Sequence, residues 1–150
     1  MRSTICITGF FLLLFTSCNI GPEPINYGHD TCHFCSMTIV DKLHGSEWVT
    51  DKGKIFKFDS VECLLNNHIQ AEKESIALYM CNHYKNPGEL IPAEKAVFLI
   101  SEGIPSPMGA YLTAFDSRAS AMEAQAKHGG DLYNWSELLK HWEDTYVYDE

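Results

Sequence analysis

From residue 25 onward the apolar positions fall into short runs broken by polar turns, and one order of periods occurs twice. Thr38-Ile39-Val40 and Glu47-Trp48-Val49-Thr50 are β-branched and aromatic, with the polar segment Lys42 to Ser46 between them, and read as strand-like pieces. Asp51-Lys52-Gly53-Lys54 is a turn with glycine where positive φ is needed, and Ile55-Phe56-Lys57-Phe58 reads as the returning strand. Val61, Leu64, Leu65, His68 and Ile69 then recur at helical spacing, which predicts a helix of about three turns. Asp59 or Ser60 is its expected cap, and Glu62 lies three residues after Asp59 as in a capping box. Ile76 to Cys81 returns to an apolar strand pattern.

Asn86-Pro87-Gly88 breaks the chain, and Ile91 to Lys95 completes a link. The order then repeats: strands at Ala96 to Ile100 and Tyr111 to Phe115, and a helix from Ser117 to Lys127 that stops at His128-Gly129-Gly130. Leu132 to Trp135 is a short strand, and Ser136 is expected to cap a last helix through Trp142. Phe58-Asp59-Ser60 and Phe115-Asp116-Ser117 occupy the same strand-to-helix junction in the two halves. The pattern therefore predicts an α+β fold of two duplicated ββαβ units, residues 25–85 and 86–142, with a C-terminal helix. Residues 143–150 read as a solvated, partly disordered acidic tail.

The segment before residue 25 follows a different rule. Met1 and Arg2 precede an apolar run from Ile5 to Phe15 that is shorter than the roughly 20 residues a membrane-spanning helix needs. Phe15-Thr16-Ser17-Cys18 resembles a lipobox, although leucine is usual where Phe15 stands. Residues 1–17 thus read as a lipoprotein signal peptide, Cys18 as the lipidated first residue of the mature chain, and residues 18–24, with Pro22 and Pro24, as a flexible tether. The net charge of −9, rising in magnitude to −10 once Arg2 is removed, leaves no basic stripe and argues against nucleic acid as a partner.

Candidate chemistry is concentrated in Asp30-Thr31-Cys32-His33-Phe34-Cys35-Ser36-Met37. Two thiols at i and i+3 can hold one ion or form one disulfide, and the thioether two residues on is a donor that zinc sites seldom use. Thiolate with thioether is the set that selects copper(I). Met108, between Pro107 and Gly109 in the stiff loop Glu102 to Ala110, fits no amphipathic period and is a second thioether candidate. His33 either joins the site or faces water, His29 reads as a surface or supporting residue, and Asp30 is expected to order the loop by accepting backbone N–H groups. Cys63 and Cys81 fall among apolar residues and read as buried free thiols rather than ligands, although Met80-Cys81-Asn82-His83 hints at a second soft site.

Tyr27-Gly28-x-Asp30-x-Cys32-x-x-Cys35-x-Met37, the Lys54 to Cys63 segment, Pro107-Met108-Gly109 and the Gly129-Gly130 to Trp135 segment together resemble the NosL family of exported copper(I)-binding lipoproteins. The resemblance covers nearly all of the mature chain. It implies an organomercurial-lyase-like ββαβ topology, no catalytic turnover, and one copper(I) carried for the copper centres of nitrous oxide reductase. It carries Cys32, Cys35, Met37 and Met108 over as the candidate sulfur donors, of which two or three are enough for copper(I). It further implies a lipid anchor in the envelope of a bacterium, facing the periplasm, and transfer to a copper-accepting ABC-type transporter and its periplasmic partner. Other readings lack residues. A zinc ribbon needs a second Cys-x-x-Cys, haem attachment needs histidine where Ser36 stands, and a thioredoxin-like site needs a buried strand before its motif. The competing expectation is an exported thiol-disulfide or structural disulfide protein, since the four cysteines Cys32, Cys35, Cys63 and Cys81 permit two bridges.

Overall fold

Ser46–Thr50 (β1), buried along its whole length, and the alternating Ile55–Phe58 (β2), joined by the turn at Gly53, close an antiparallel hairpin in the computed structural model, which describes residues 20–70 and 75–146. Trp48 on β1 lies opposite Phe56, and its ring meets Phe56 and Phe58 edge-on at centroid distances of 5.7 and 5.0 Å. Fully burying each such side chain contributes about 1.5–3 kcal/mol, so this cluster anchors the first half. Helix α1 (Val61–Gln70) follows, and β3 (Ile76–His83) pairs with the free side of β1.

The second half repeats this connectivity with β5 (Val97–Ile100), β6 (Leu112–Phe115), α2 (Arg118–His128) and β7 (Asp131–Tyr133). The sheet orders β2-β1-β3 and β6-β5-β7 match: each unit's first strand is central and antiparallel to both neighbours. The shared tripeptide has one structural meaning. Ser60 Oγ accepts the Cys63 N–H at 3.3 Å, and Ser117 Oγ accepts the Ser120 N–H at 3.3 Å, so serine is the helix cap in both units. Asp59 is therefore not the cap, and Glu62, at the second helical position, takes no part in a capping box.

Four further expectations are corrected. Thr38-Ile39-Val40 is not a strand; only Thr38 pairs, in an isolated bridge with Thr31. Asn86–Pro92, placed with the second unit, is a strand (β4) of the first sheet, hydrogen-bonded to β3 and followed by a 3-10 turn at Ala93–Lys95. A tight β3–β4 reversal satisfies backbone groups that an open link would leave to water. The last helix, α3, spans Trp135–Tyr146, so residues 143–146 continue it instead of belonging to a tail. Its cap is Asn134, whose Oδ1 accepts the Glu137 N–H at 3.0 Å while Glu137 Oε2 accepts the Asn134 N–H at 2.8 Å, a reciprocal capping box. The signal segment, Cys18 and residues 147–150 lie outside the described residues. The end of the expected tether is tied down: Glu23 N–H donates to Glu47 Oε1 at 3.0 Å, and Lys57 Nζ donates to the Pro24 carbonyl at 3.0 Å.

The two units share the larger of two core clusters among the described residues; the smaller, Leu99, Ile104, Phe115, Ala121 and Ala124, lies in the second unit. Phe58, Leu64 and Leu65 pack in a cluster with Phe98, Leu112, Leu138 and Trp142, and Trp142 Nε1 donates to Asn66 Oδ1 at 2.8 Å to dock α3 on α1. The sheets meet where Tyr84 N–H donates to the Ala114 carbonyl at 2.9 Å, beside a buried contact of 3.2 Å between His44 Nε2 and Thr113 Oγ1. This junction brings the loop before β6 against the start of α1.

Candidate metal centre

The sulfur motif is a closed loop, built from backbone hydrogen bonds rather than from sheet. Gly28 N–H donates to Ile39 O at 2.8 Å, Ile39 N–H to Asp30 O at 2.9 Å, and Cys32 N–H to Met37 O at 2.8 Å. Ser36, at φ 62°, reverses the tip and donates to Cys32 O at 3.0 Å. Asp30 Oδ2 accepts the Asn26 N–H at 2.8 Å and the Lys57 ammonium at 2.7 Å, which holds its carboxyl below the usual carboxylate range. His33 N–H donates to Lys57 O at 2.9 Å, laying the loop along the edge of β2.

The tip meets the first turn of α1. Cys32 is buried at its base, Cys35 is half-buried, and Cys63 is fully buried at the third helical position after Ser60. The three sulfurs lie within 4.8 Å of one another. Cys63, read from sequence as a buried free thiol, thus stands with the two motif cysteines. Cys81 does not: it is buried on β3 with its thiol directed at Ile91 O, 3.8 Å away, and burial pushes its titration above the ordinary thiol range. The four cysteines in the described residues are free thiols.

Electrostatics divides the cluster's protons unequally. Cys32 is held far below an ordinary thiol, chiefly because the Cys63 S–H donates to it, with the Cys35 and Asp59 N–H groups adding to that. Cys63 is correspondingly pushed up, first by keeping its proton on that hydrogen bond and then by burial, and burial raises Cys35 as well. The three thiols thus share their protons unequally, and the proton on Cys32 is the easiest to lose. Asp59, whose backbone supports Cys32, has its own carboxyl raised to about 6 by burial and then by the Cys32 charge.

The remaining candidates are distributed around this pocket. His33 is outside the thiol cluster; its ring packs on Phe56 and Phe58 at 4.5 and 6.2 Å. Met37 and Met108 are exposed, at 52% and 37%. The Met108 loop is fastened to α1 next to Cys63, through a hydrogen bond from the Ser106 hydroxyl to Glu62 Oε1. Met80-Cys81-Asn82-His83 alternates across β3 and forms no second cluster among the described residues. Chemically, three convergent thiols suit a soft, low-charge cation, and Cys35 is the least buried of the three.

A family model described as NosL matches residues 25–142. The copper-binding lipoprotein NosL of Stutzerimonas stutzeri is 26% identical over an alignment 125 residues long that covers 77% of this chain and 66% of that relative's length. The crystal structure of the copper chaperone NosL from Shewanella denitrificans is 22% identical and superposes with a TM-score of 0.69 over 79% of this chain and 96% of that one, a likeness of fold.

Proposed function

This chain belongs to the NosL family, and from that premise we propose that it is a membrane-anchored copper(I) metallochaperone, a carrier without catalytic turnover. The observation that carries the reading is the buried cluster of Cys32, Cys35 and Cys63, with sulfurs within 4.8 Å of one another. Copper(I) is the cargo. Cys32 supplies the thiolate that forms most readily, Cys35 and Cys63 supply thiolates by losing protons against a raised titration, and Met37 and Met108 supply neutral thioethers from the exposed side. A site of this kind binds tightly at its base and exchanges ligands at its mouth.

The chain delivers that copper for assembly of the copper centres of nitrous oxide reductase, through a copper-accepting ABC-type transporter and its periplasmic partner. Lipid on Cys18 holds it in the bacterial cell envelope, facing the periplasm. The name of the Stutzerimonas relative, a lipoprotein, supports the anchor, and no helix among the described residues is long and apolar enough to cross a membrane. Mass spectrometry of the anaerobically purified protein tests the reading: one copper per chain, free thiols and a lipid mass on Cys18 are expected. Two disulfides and no metal would return the chain to the class of exported disulfide proteins.

A further inference from the structure

Glu62 is 1% exposed, an unusual place for a carboxylate. Its Oε2 has no hydrogen-bond partner among the described residues. Its Oε1 accepts the Ser106 hydroxyl and, at 3.4 Å, the Leu112 N–H, groups 44 and 50 residues away in the chain. Ser106 immediately precedes Pro107-Met108-Gly109, and Leu112 opens β6 just after that loop. Ser106 is itself the loop's internal clamp: its Oγ accepts the Tyr111 N–H at 2.8 Å, and its carbonyl accepts the Gly109 N–H at 3.1 Å, closing the turn that carries Met108. Glu62 also precedes Cys63 directly on α1.

A buried carboxylate is retained here with no caps to make and no cation within ion-pair distance among the described residues. The groups it does engage fix one loop to one helix. We propose that Glu62 is the positioning residue for Met108. Through Ser106 it sets the height of the Pro-Met-Gly turn over α1, so that the thioether is presented to a copper(I) held by the neighbouring thiols. Glu62 does not touch the metal; it acts through the loop. The inference rests on the reading of Met108 as a copper(I) donor.

The test uses the mature protein with copper(I) alone as the probe, in competition with a chromogenic chelator under anaerobic conditions. Ser106→Ala should weaken copper(I) binding about tenfold, the scale of one net hydrogen bond at the upper end of its range. Ser106→Thr, which keeps the hydroxyl, should restore it. In a Met108→Leu background the same Ser106→Ala change should have no effect on affinity. A readout without metal accompanies these: in protein labelled with carbon-13 at methionine methyls, the Met108 resonance should move to the narrow free-side-chain position in Ser106→Ala and stay in place in Ser106→Thr. Glu62→Gln, which retains an acceptor oxygen, should disturb that resonance less than Ser106→Ala does. Equal losses in both backgrounds, or an unmoved Met108 resonance, would overturn the positioning role. If Met108→Leu alone leaves affinity unchanged, the donor reading fails, and this inference fails with it.

Discussion

Replacing Cys63 by serine separates two roles that geometry alone assigns to the same atom. Cys63 Sγ is within 4.8 Å of the sulfurs of Cys32 and Cys35, and its S–H is also the main support of the Cys32 thiolate. A serine hydroxyl can still donate to Cys32 but is a poor ligand for copper(I). Losing a residue that merely supports a metal ligand costs about 10–100-fold in affinity, so a loss beyond about 100-fold, or about 2.7 kcal/mol, marks a lost ligand. The folded apo protein should lose only about 1 kcal/mol, because the site remains hydrogen-bonded and the volume change is small. Chelator competition gives the affinity, and thermal melting guards against a folding artefact. Cys63→Ala adds the complementary measurement: with the S–H removed, the thiolate absorbance of Cys32 should titrate at higher pH, toward the ordinary 9.0. Retention of affinity within about 100-fold in Cys63→Ser would refute the three-thiolate site, leaving Cys63 as a hydrogen-bond donor only.

Copper(I) affinity should rise with pH through the neutral range by about tenfold per unit for each thiol that must lose its proton, because Cys35 and Cys63 titrate above 9.0 while Cys32 does not; a flat profile would remove both from the site. Glu47 is buried on β1 with one unpartnered oxygen, and burial raises its carboxyl from 4.5 to about 7. The folded state therefore binds the extra proton between those values, and stability conferred by the neutral form is lost as pH rises through them; Glu47→Gln should gain about 2 kcal/mol at pH ~7.5 and almost nothing at pH ~4.5 by urea unfolding, and an equal gain at both would refute the assignment. Gly130, at φ 95°, leaves no room for a side chain, since a Cβ there would lie 2.1 Å from the Ile100 carbonyl oxygen; Gly130→Ala should cost about 3 kcal/mol or more, seen as a lowered melting temperature.

The duplicated pattern was legible because both units present the same periods, strand alternation then helical spacing, around Phe-Asp-Ser. What the pattern hid follows from how the ends of elements are satisfied. Asp59 and Ser60 are both good caps, and the two choices differ by one residue. Aligning Ser60 with Ser117 would have placed the cap at serine, Cys63 in the first turn and Glu62 free of capping. A thiol in a run of Val61, Leu64 and Leu65 otherwise looks like core, and Cys63 is indeed core as well as part of the cluster. Thr38-Ile39-Val40 has strand composition, yet its backbone partners are the loop residues Gly28, Asp30 and Thr31, and Val40 is exposed. The strand Asn86–Pro92 carries a glycine and two prolines, which reads as a break; as an edge strand it tolerates them, because one side of its backbone needs no partner.

The sulfurs are ordered by depth, and the backbone around them is ordered by strain. Cys32 and Cys63 are buried, Cys35 is half-buried, and Met37 and Met108 stand at the surface. Among the described residues, the non-glycine positions with positive φ are Ser36 at 62° and Tyr111 at 60°, one in each methionine loop. The left-handed region costs a side-chain-bearing residue about 1–2 kcal/mol, so each loop must be held by its surroundings. Ser36 is held by its hydrogen bond to Cys32 O, and Tyr111 by its hydrogen bond to Ser106 Oγ. Strain of this kind fixes the loops without burying their methionines. On the proposed function, that combination lets a recipient's ligand displace an exposed thioether first, while the thiolates beneath keep the copper(I) bound until the exchange is complete.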